Sequence, residues 1–148
     1  MNKKLDVPYV KQISNYCGPA CLEMVLKYHG LDKTQFEIGS EISPIPYFGY
    51  TVGDIANYAK NHGFCVDINE HSSIDRLIRN IDQGLPTIIL QKLTIQNNQP
   101  HFRVAIGYHN RRISIHDPEL FDDVSLPETS FNYIWDLNGR NIAITLKK

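Results

Sequence analysis

"KQISNYCGPACLEMVLKYHG", Lys11–Gly30, is the stretch from which the fold follows. A cysteine is followed at once by glycine and proline, and then by a nearly unbroken apolar run. From Gly18 to His29 apolar residues fall almost all round a helical wheel. Only Glu23 and Lys27 interrupt them, on one stripe. A helix that is apolar on most sides is buried on most sides, so this segment predicts a central helix, ended by Gly30. Cys21 lies inside the run and reads as core. Cys17 stands instead where a loop becomes a helix.

Working outward, residues 1–16 read as an extended arm and loop. Residues 31–50 read as irregular, with Pro44 and Pro46 close to Tyr47, Phe48 and Tyr50. "TVGDIANYAKNHGF" (51–64) predicts a helix capped by Thr51 with Asp54 three positions on, stopped at Gly63. "CVDI" (65–68) predicts a short strand, which makes Cys65 a core residue. "SSIDRLIRNIDQG" (72–84) predicts a serine-capped helix with Gly84 as its stop. The second half changes period. "PTIILQKL", "HFRVAIGY", "RISIHDP" and "RNIAITLKK" are β-branched and aromatic in strand-length runs. "SLPETSFNYIWDL" between them reads as a loop with one short helical turn. Helices first and strands after predict a single α+β domain over 1–148: an N-terminal helical part, a C-terminal antiparallel β-sheet, two layers.

Composition excludes several classes of function. The 148 residues suffice for one core, 42% are apolar and 21% charged, as in ordinary soluble proteins. A formal net charge of −1 gives no electrostatic case for nucleic acid or an anionic membrane. No run is long enough for a transmembrane segment, and "MNKKLDVPYV" is no intact signal peptide; a cytoplasmic location is expected. Cys17, Cys21 and Cys65 are too few and odd in number for a disulfide framework. Paired Cys-x-x-Cys spacing is absent, so no metal and no cofactor are expected.

Cys17 therefore needs a chemical explanation. A thiol becomes a good nucleophile as the thiolate, and the free N–H groups and positive dipole end of a helix stabilise one. Gly18 leaves room for a substrate backbone. Pro19 costs little in a first turn. A nucleophilic cysteine also needs a base and a group to orient it. His29 and His62 precede helix-ending glycines, and His71 and His109 lie in loops and turns. His116, beside Asp117 at a strand end, is one candidate base. His101 opens the strand "HFRVAIGY", and a hairpin returning along "ISIHDP" brings Asp117 back near it, so the carboxylate can orient the imidazole. Gln12, in the loop five positions before Cys17, is a suitable side-chain donor to an oxyanion, with the Cys17 backbone N–H as a second.

On these residues the chain resembles the papain-like cysteine peptidases that process bacteriocin and pheromone precursors after a double glycine. "CGPACLEMVLKYHG" resembles that family's Cys-Gly-x-Ala-x-x-x-Met stretch. His101 and Asp117 keep its separation of 16 positions, and "FNYIWDLNGRNIAITL" resembles its closing segment. The resemblance implies a papain-like fold with Cys17 as nucleophile, His101 as base, Asp117 as orienter and Gln12 as oxyanion donor. It implies a peptide or protein substrate and leaves association with a transporter open. Transporter-linked members carry an acidic residue where this chain has Tyr16, and their glutamine lies one position further away. The chain is therefore more similar to the stand-alone branch. Isopeptidase, acyltransferase or deamidase chemistry at the same site, or peptide binding without turnover, are the alternatives. A double-glycine substrate implies a narrow channel, for which Tyr16, Tyr47, Phe48 and Tyr50 are candidate walls.

Overall fold

The structure, a computed structural model, describes residues 2–43 and 49–148. Tyr47 and Phe48, expected as channel walls, lie outside the described residues, as do Pro44 and Pro46. The element order is β1 (Lys3–Lys4), α1 (Cys17–Tyr28), α2 (Gln35–Ile42), α3 (Val52–Asn61), β2 (Cys65–Asn69), α4 (Ile74–Asp82), β3 (Thr87–Thr94), β4 (Asn97–His109), β5 (Arg112–Asp117), β6 (Phe121–Pro127), α5 (Glu128–Trp135) and β7 (Ile142–Lys147). The fold is α+β. Its antiparallel sheet runs β2-β7-β3-β4-β5-β6, and β1 pairs with β4 where β3 has already ended.

The predicted central helix forms because nearly every side of it finds an apolar partner. Cys21, Leu22, Met24, Val25 and Leu26 of α1 are fully buried. They pack with Ile38 of α2, Ile55 and Ala59 of α3, and Phe102, Val104 and Ile106 of β4. Burying one such leucine is worth about 2 kcal/mol. Glu23 and Lys27, the two polar interruptions, pair at 2.6 Å. Glu23 is itself buried, and its second oxygen accepts the Gln35 N–H at 2.6 Å, anchoring the start of α2. A buried carboxylate is tolerable when both oxygens are used in this way.

Three expectations need correction. The sheet is covered on both faces, so there are more than two layers: Leu77 of α4 with Phe131 and Trp135 of α5 packs on Ile89, Ala105, Ile113, Ile115 and Ala143. Adjacent Ile88 and Ile89 belong to opposite cores, which is how a strand buried on both sides reads. Second, α2 lies within the span expected to be irregular. Its signal was Thr34 and Glu37, a reciprocal capping box with both bonds at 3.2 Å. The stretch read as loop and turn likewise holds part of β6 and the eight-residue α5. Third, Cys65 is exposed, not core. It sits on the edge strand β2, and the alternation there turns Val66 toward the core and Cys65 to solvent.

The N-terminal arm is a working part of the sheet. Lys3 and Lys4 pair with Tyr108 and Gly107, and the Leu5 N–H donates to the Ile106 carbonyl at 2.8 Å. Gly107 permits this approach: a Cβ there would stand 2.8 Å from the Lys3 carbonyl oxygen and 3.1 Å from Lys4 Cα. Backbone cannot step aside as a side-chain end can. Gly107→Ala should therefore lift the arm at a cost of about 1–3 kcal/mol. Hydrogen exchange should register it as faster exchange at Leu5, with the α1 amides keeping their protection.

Candidate active site

The start of α1 has no side-chain cap and no acidic residue in its first turn. Its leading N–H groups are thus left for something else. Asn15 turns the chain into it with a φ of 66°, and Tyr16 serves as the N-cap. The Tyr16 ring seats on Gly39, where a Cβ would come within 2.5 Å, and meets Tyr50 edge-on at 5.5 Å. Tyr16 thus joins α1 to α2. Gly18, expected to make room for a substrate, is buried: a Cβ there would meet Ile55 Cδ1 at 2.9 Å and Tyr50 Cβ at 3.2 Å. Its small size serves helix packing.

His101 lies opposite Gln91 on β3, and Asp117 ends β5 one residue beyond the Val104–His116 pair. The register makes the two diagonal neighbours across the hairpin. His101 Nε2 meets Asp117 Oδ1 at 2.7 Å. With Nε2 committed to Asp117, Nδ1 is the nitrogen left to act on a neighbour, and Cys17 is near enough to act on the imidazole's charge. Burial alone disfavours the imidazolium, but the interactions with Asp117 and Cys17 outweigh it and raise His101 from 6.5 to about 9. Burial likewise disfavours the Asp117 carboxylate, yet His101 and then Arg103 bring it from 3.8 down to about 2. Asp117 Oδ1 also accepts the N–H groups of Glu119 at 3.0 Å and Leu120 at 3.2 Å.

His116, the other candidate base, is fully engaged elsewhere. Its Nε2 donates to the Val7 carbonyl at 2.8 Å, and its Nδ1 accepts the Asp123 N–H at 3.1 Å. Neither nitrogen is left free. The same arm reaches the site twice more. The Tyr9 hydroxyl donates to the Asp117 carbonyl at 2.7 Å, and the Gln12 N–H donates to the Pro118 carbonyl at 2.8 Å. Gln12 is thereby held beside the end of β5, and its buried Oε1 accepts no hydrogen bond among the described residues. Burial pushes the Cys21 thiol well up, which leaves it inert.

Arg103, not among the residues expected from the sequence, also joins this group. Its signal was there: a cation two positions past His101 in an otherwise apolar strand must find a buried partner. Its Nε donates to Asp117 Oδ2 at 2.8 Å. Beside Cys17 a cleft of about 410 Å³ opens, lined by Gly49, Tyr50, Val52, Leu90, Pro100 and Phe102 among others. It shares Leu90 and Pro100 with a neighbouring groove of about 730 Å³ bounded by residues 136–140. Among the described residues no helix is long and apolar enough to cross a membrane.

A family model described as the Peptidase_C39 like family matches residues 4–141. A C39-like peptidase from Bacillus anthracis has the same fold, with a TM-score of 0.86 at 20% identity over 100% of this chain and 98% of that one. The peptidase domain of Streptococcus ComA is 26% identical, with a TM-score of 0.70 over 94% of this chain and 98% of its own. A double glycine motif protease from an AMS/PCAT transporter, in complex with a leader peptide, superposes with a TM-score of 0.75 at 21% identity, over 99% and 98% of the two chains. Comparison with curated protein sequences gives no match. Family and fold are those of C39-type cysteine peptidases, and with the family model spanning residues 4–141, the chain belongs to the C39-like peptidase family.

Proposed function

We propose that this protein is a cysteine peptidase in which the Cys17 thiolate attacks a peptide carbonyl. The observation that carries this reading is the buried His101, hydrogen-bonded to Asp117 at 2.7 Å and electrostatically coupled to Cys17, which stands at an uncapped helix start. Attack forms a C–S bond and an oxyanion. The Gln12 side-chain amide and the Cys17 main-chain N–H are the donors for it. The His101 imidazolium protonates the leaving amine as the C–N bond breaks. The resulting neutral imidazole takes a proton from water, which hydrolyses the thioester and frees Cys17. Asp117 keeps the imidazole in one tautomer and orientation throughout.

The proposed substrate is a peptide with two small residues before the scissile bond. Two observations support it. The ComA relative is a peptidase domain of a transporter involved in quorum sensing, and the AMS/PCAT neighbour is a double glycine motif protease bound to a leader peptide. The cleft at Cys17 is walled by Tyr50, itself only 7% exposed, and by Phe102 at 2%.

Cys17→Ala should abolish turnover of a Gly-Gly reporter peptide, while Cys21→Ala should act on stability and Cys65→Ala on neither. His101→Ala should lower kcat by orders of magnitude in a protein that still folds, because Arg103 remains to pair Asp117. Asp117→Asn should cost less, since an amide can hold the ring. A fully active Cys17→Ala protein would end this mechanism.

The pH dependence has a defined sign. His101 acts charged, so activity should fall as pH rises through about 9. Its raised value also means that its contribution to stability is complete below 6.5 and lost as pH rises toward about 9. Asp117 is depressed, so its contribution is complete above 3.8 and lost as pH falls toward about 2. Thermal unfolding followed across this range should show both limbs, and Asp117→Asn should flatten them. A stability profile identical in the variant would contradict the pairing.

A peptide library varied at the two positions before the cut tests the substrate. Gly-Gly and Gly-Ala should be cleaved, and leucine just before the cut should block turnover by steric exclusion. Equal turnover of bulky residues there would defeat the double-glycine specificity and leave the thiol chemistry standing.

A further inference from the structure

Arg103 is an oddity in energetic terms. It is 3% exposed, on the sheet face that carries the second core, and a lone guanidinium there would be prohibitively costly. All three of its nitrogens are used. Nε donates to Asp117 Oδ2 at 2.8 Å, Nη2 to the Leu93 carbonyl at 2.6 Å, and Nη1 to the Lys92 carbonyl at 2.8 Å and to Gln91 Oε1 at 3.3 Å. Gln91, wholly buried, in turn donates through Nε2 to the Phe131 carbonyl of α5 at 3.3 Å.

The receiving end of this fork is an irregularity in the sheet. The β3–β4 register shifts between Lys92 and Thr94. A regular strand points successive carbonyls to opposite sides, and a bulge breaks that alternation. Here it turns the carbonyls of Lys92 and Leu93 toward one guanidinium. A planar fork with fixed angles can bridge such a pair to a carboxylate, whereas an ammonium cannot reach all of them at once.

The two oxygens of Asp117 are divided accordingly. Oδ1 carries His101 and the two N–H groups of the following turn, and Oδ2 carries Arg103. Rotation of the carboxylate about its bond to Cβ would break both sets together. We propose that Arg103 is a positioning residue for the candidate active site. It braces Asp117 Oδ2 against the Lys92–Leu93 bulge so that Oδ1 stays aimed at His101. This rests on the assignment of Cys17, His101 and Asp117 as the reactive group. It does not depend on which acyl substrate that group serves. Arg103 touches no reacting atom and acts only through Asp117.

Alkylation of Cys17 by iodoacetamide reads the state of the thiol and imidazole without a substrate. It is best followed in the otherwise complete chain carrying Cys65→Ser, since exposed Cys65 would also react. Arg103→Met should slow Cys17 alkylation at pH 6 about tenfold, the low end of what removing a partner behind a reactive site costs. In an Asp117→Asn background the same change should add less than about twofold, because the oxygen it braces is already altered. Arg103→Lys, which keeps the cation without the fork, should fall between Met and native, and it carries the comparison if Arg103→Met does not fold. An unchanged rate in the Arg103 variants, or a full additive loss on top of Asp117→Asn, overturns the inference and leaves the nucleophile assignment intact. A native Cys17 that reacts no faster than glutathione overturns both.

Discussion

A single buried carboxylate holds the candidate site together. Asp117 is 1% exposed, and a charge so placed is unsustainable without partners for both oxygens. Its partners come from separate parts of the chain: His101 and Arg103 from β4, the turn at Glu119 and Leu120, and Tyr9 of the N-terminal arm on its main-chain oxygen. Moving any of these elements therefore disturbs the histidine. The same convergence explains why the depressed carboxylate and the raised imidazole belong together, each being the main opposite charge seen by the other.

The thiol is placed by a different device. Its helix is buried on nearly every side, so position and direction are set by packing against α2, α3 and β4. That packing leaves little room for adjustment. Gly18 and Gly39 bring Ile55 and Tyr16 so close that a methyl group would collide, and Glu23 joins α1 to the start of α2. What is missing at the first turn is as telling as what is present. An acidic cap would compete for the N–H groups that a thiolate or oxyanion needs, and none stands there. Rigid placement with unspent donors is what electrostatic preorganisation requires.

Much of this was legible in the amino-acid order. The central helix, the capped helices at Thr51 and Ser73, the strands of the second half and the antiparallel α+β class follow from periodicity and caps, which are local properties. Spacing also nominated Cys17, His101, Asp117 and Gln12 as candidates, since a thiol at a loop-to-helix boundary and a histidine and aspartate on one hairpin are local features, but it left His116 open as a second base. Missed were α2, whose capping box was in plain view at Thr34 and Glu37, and β6, while α5 runs eight residues where one short helical turn was expected.

Tertiary structure alone decided the rest, because each remaining fact depends on which neighbour a side chain meets. His101 and His116 look alike as strand histidines. Only the fold commits both nitrogens of His116 to Val7 and Asp123 while His101 spends Nε2 on Asp117. Cys65 sits in an apolar-looking strand, but it faces solvent because β2 is a sheet edge. Arg103 interrupts an apolar run, and nothing within that run tells that a bulge one strand away will offer it two carbonyls. Local sequence determined the elements and the chemical groups they carry; long-range register determined which of those groups meet, since a shift of one residue would turn each strand's other face to its partner.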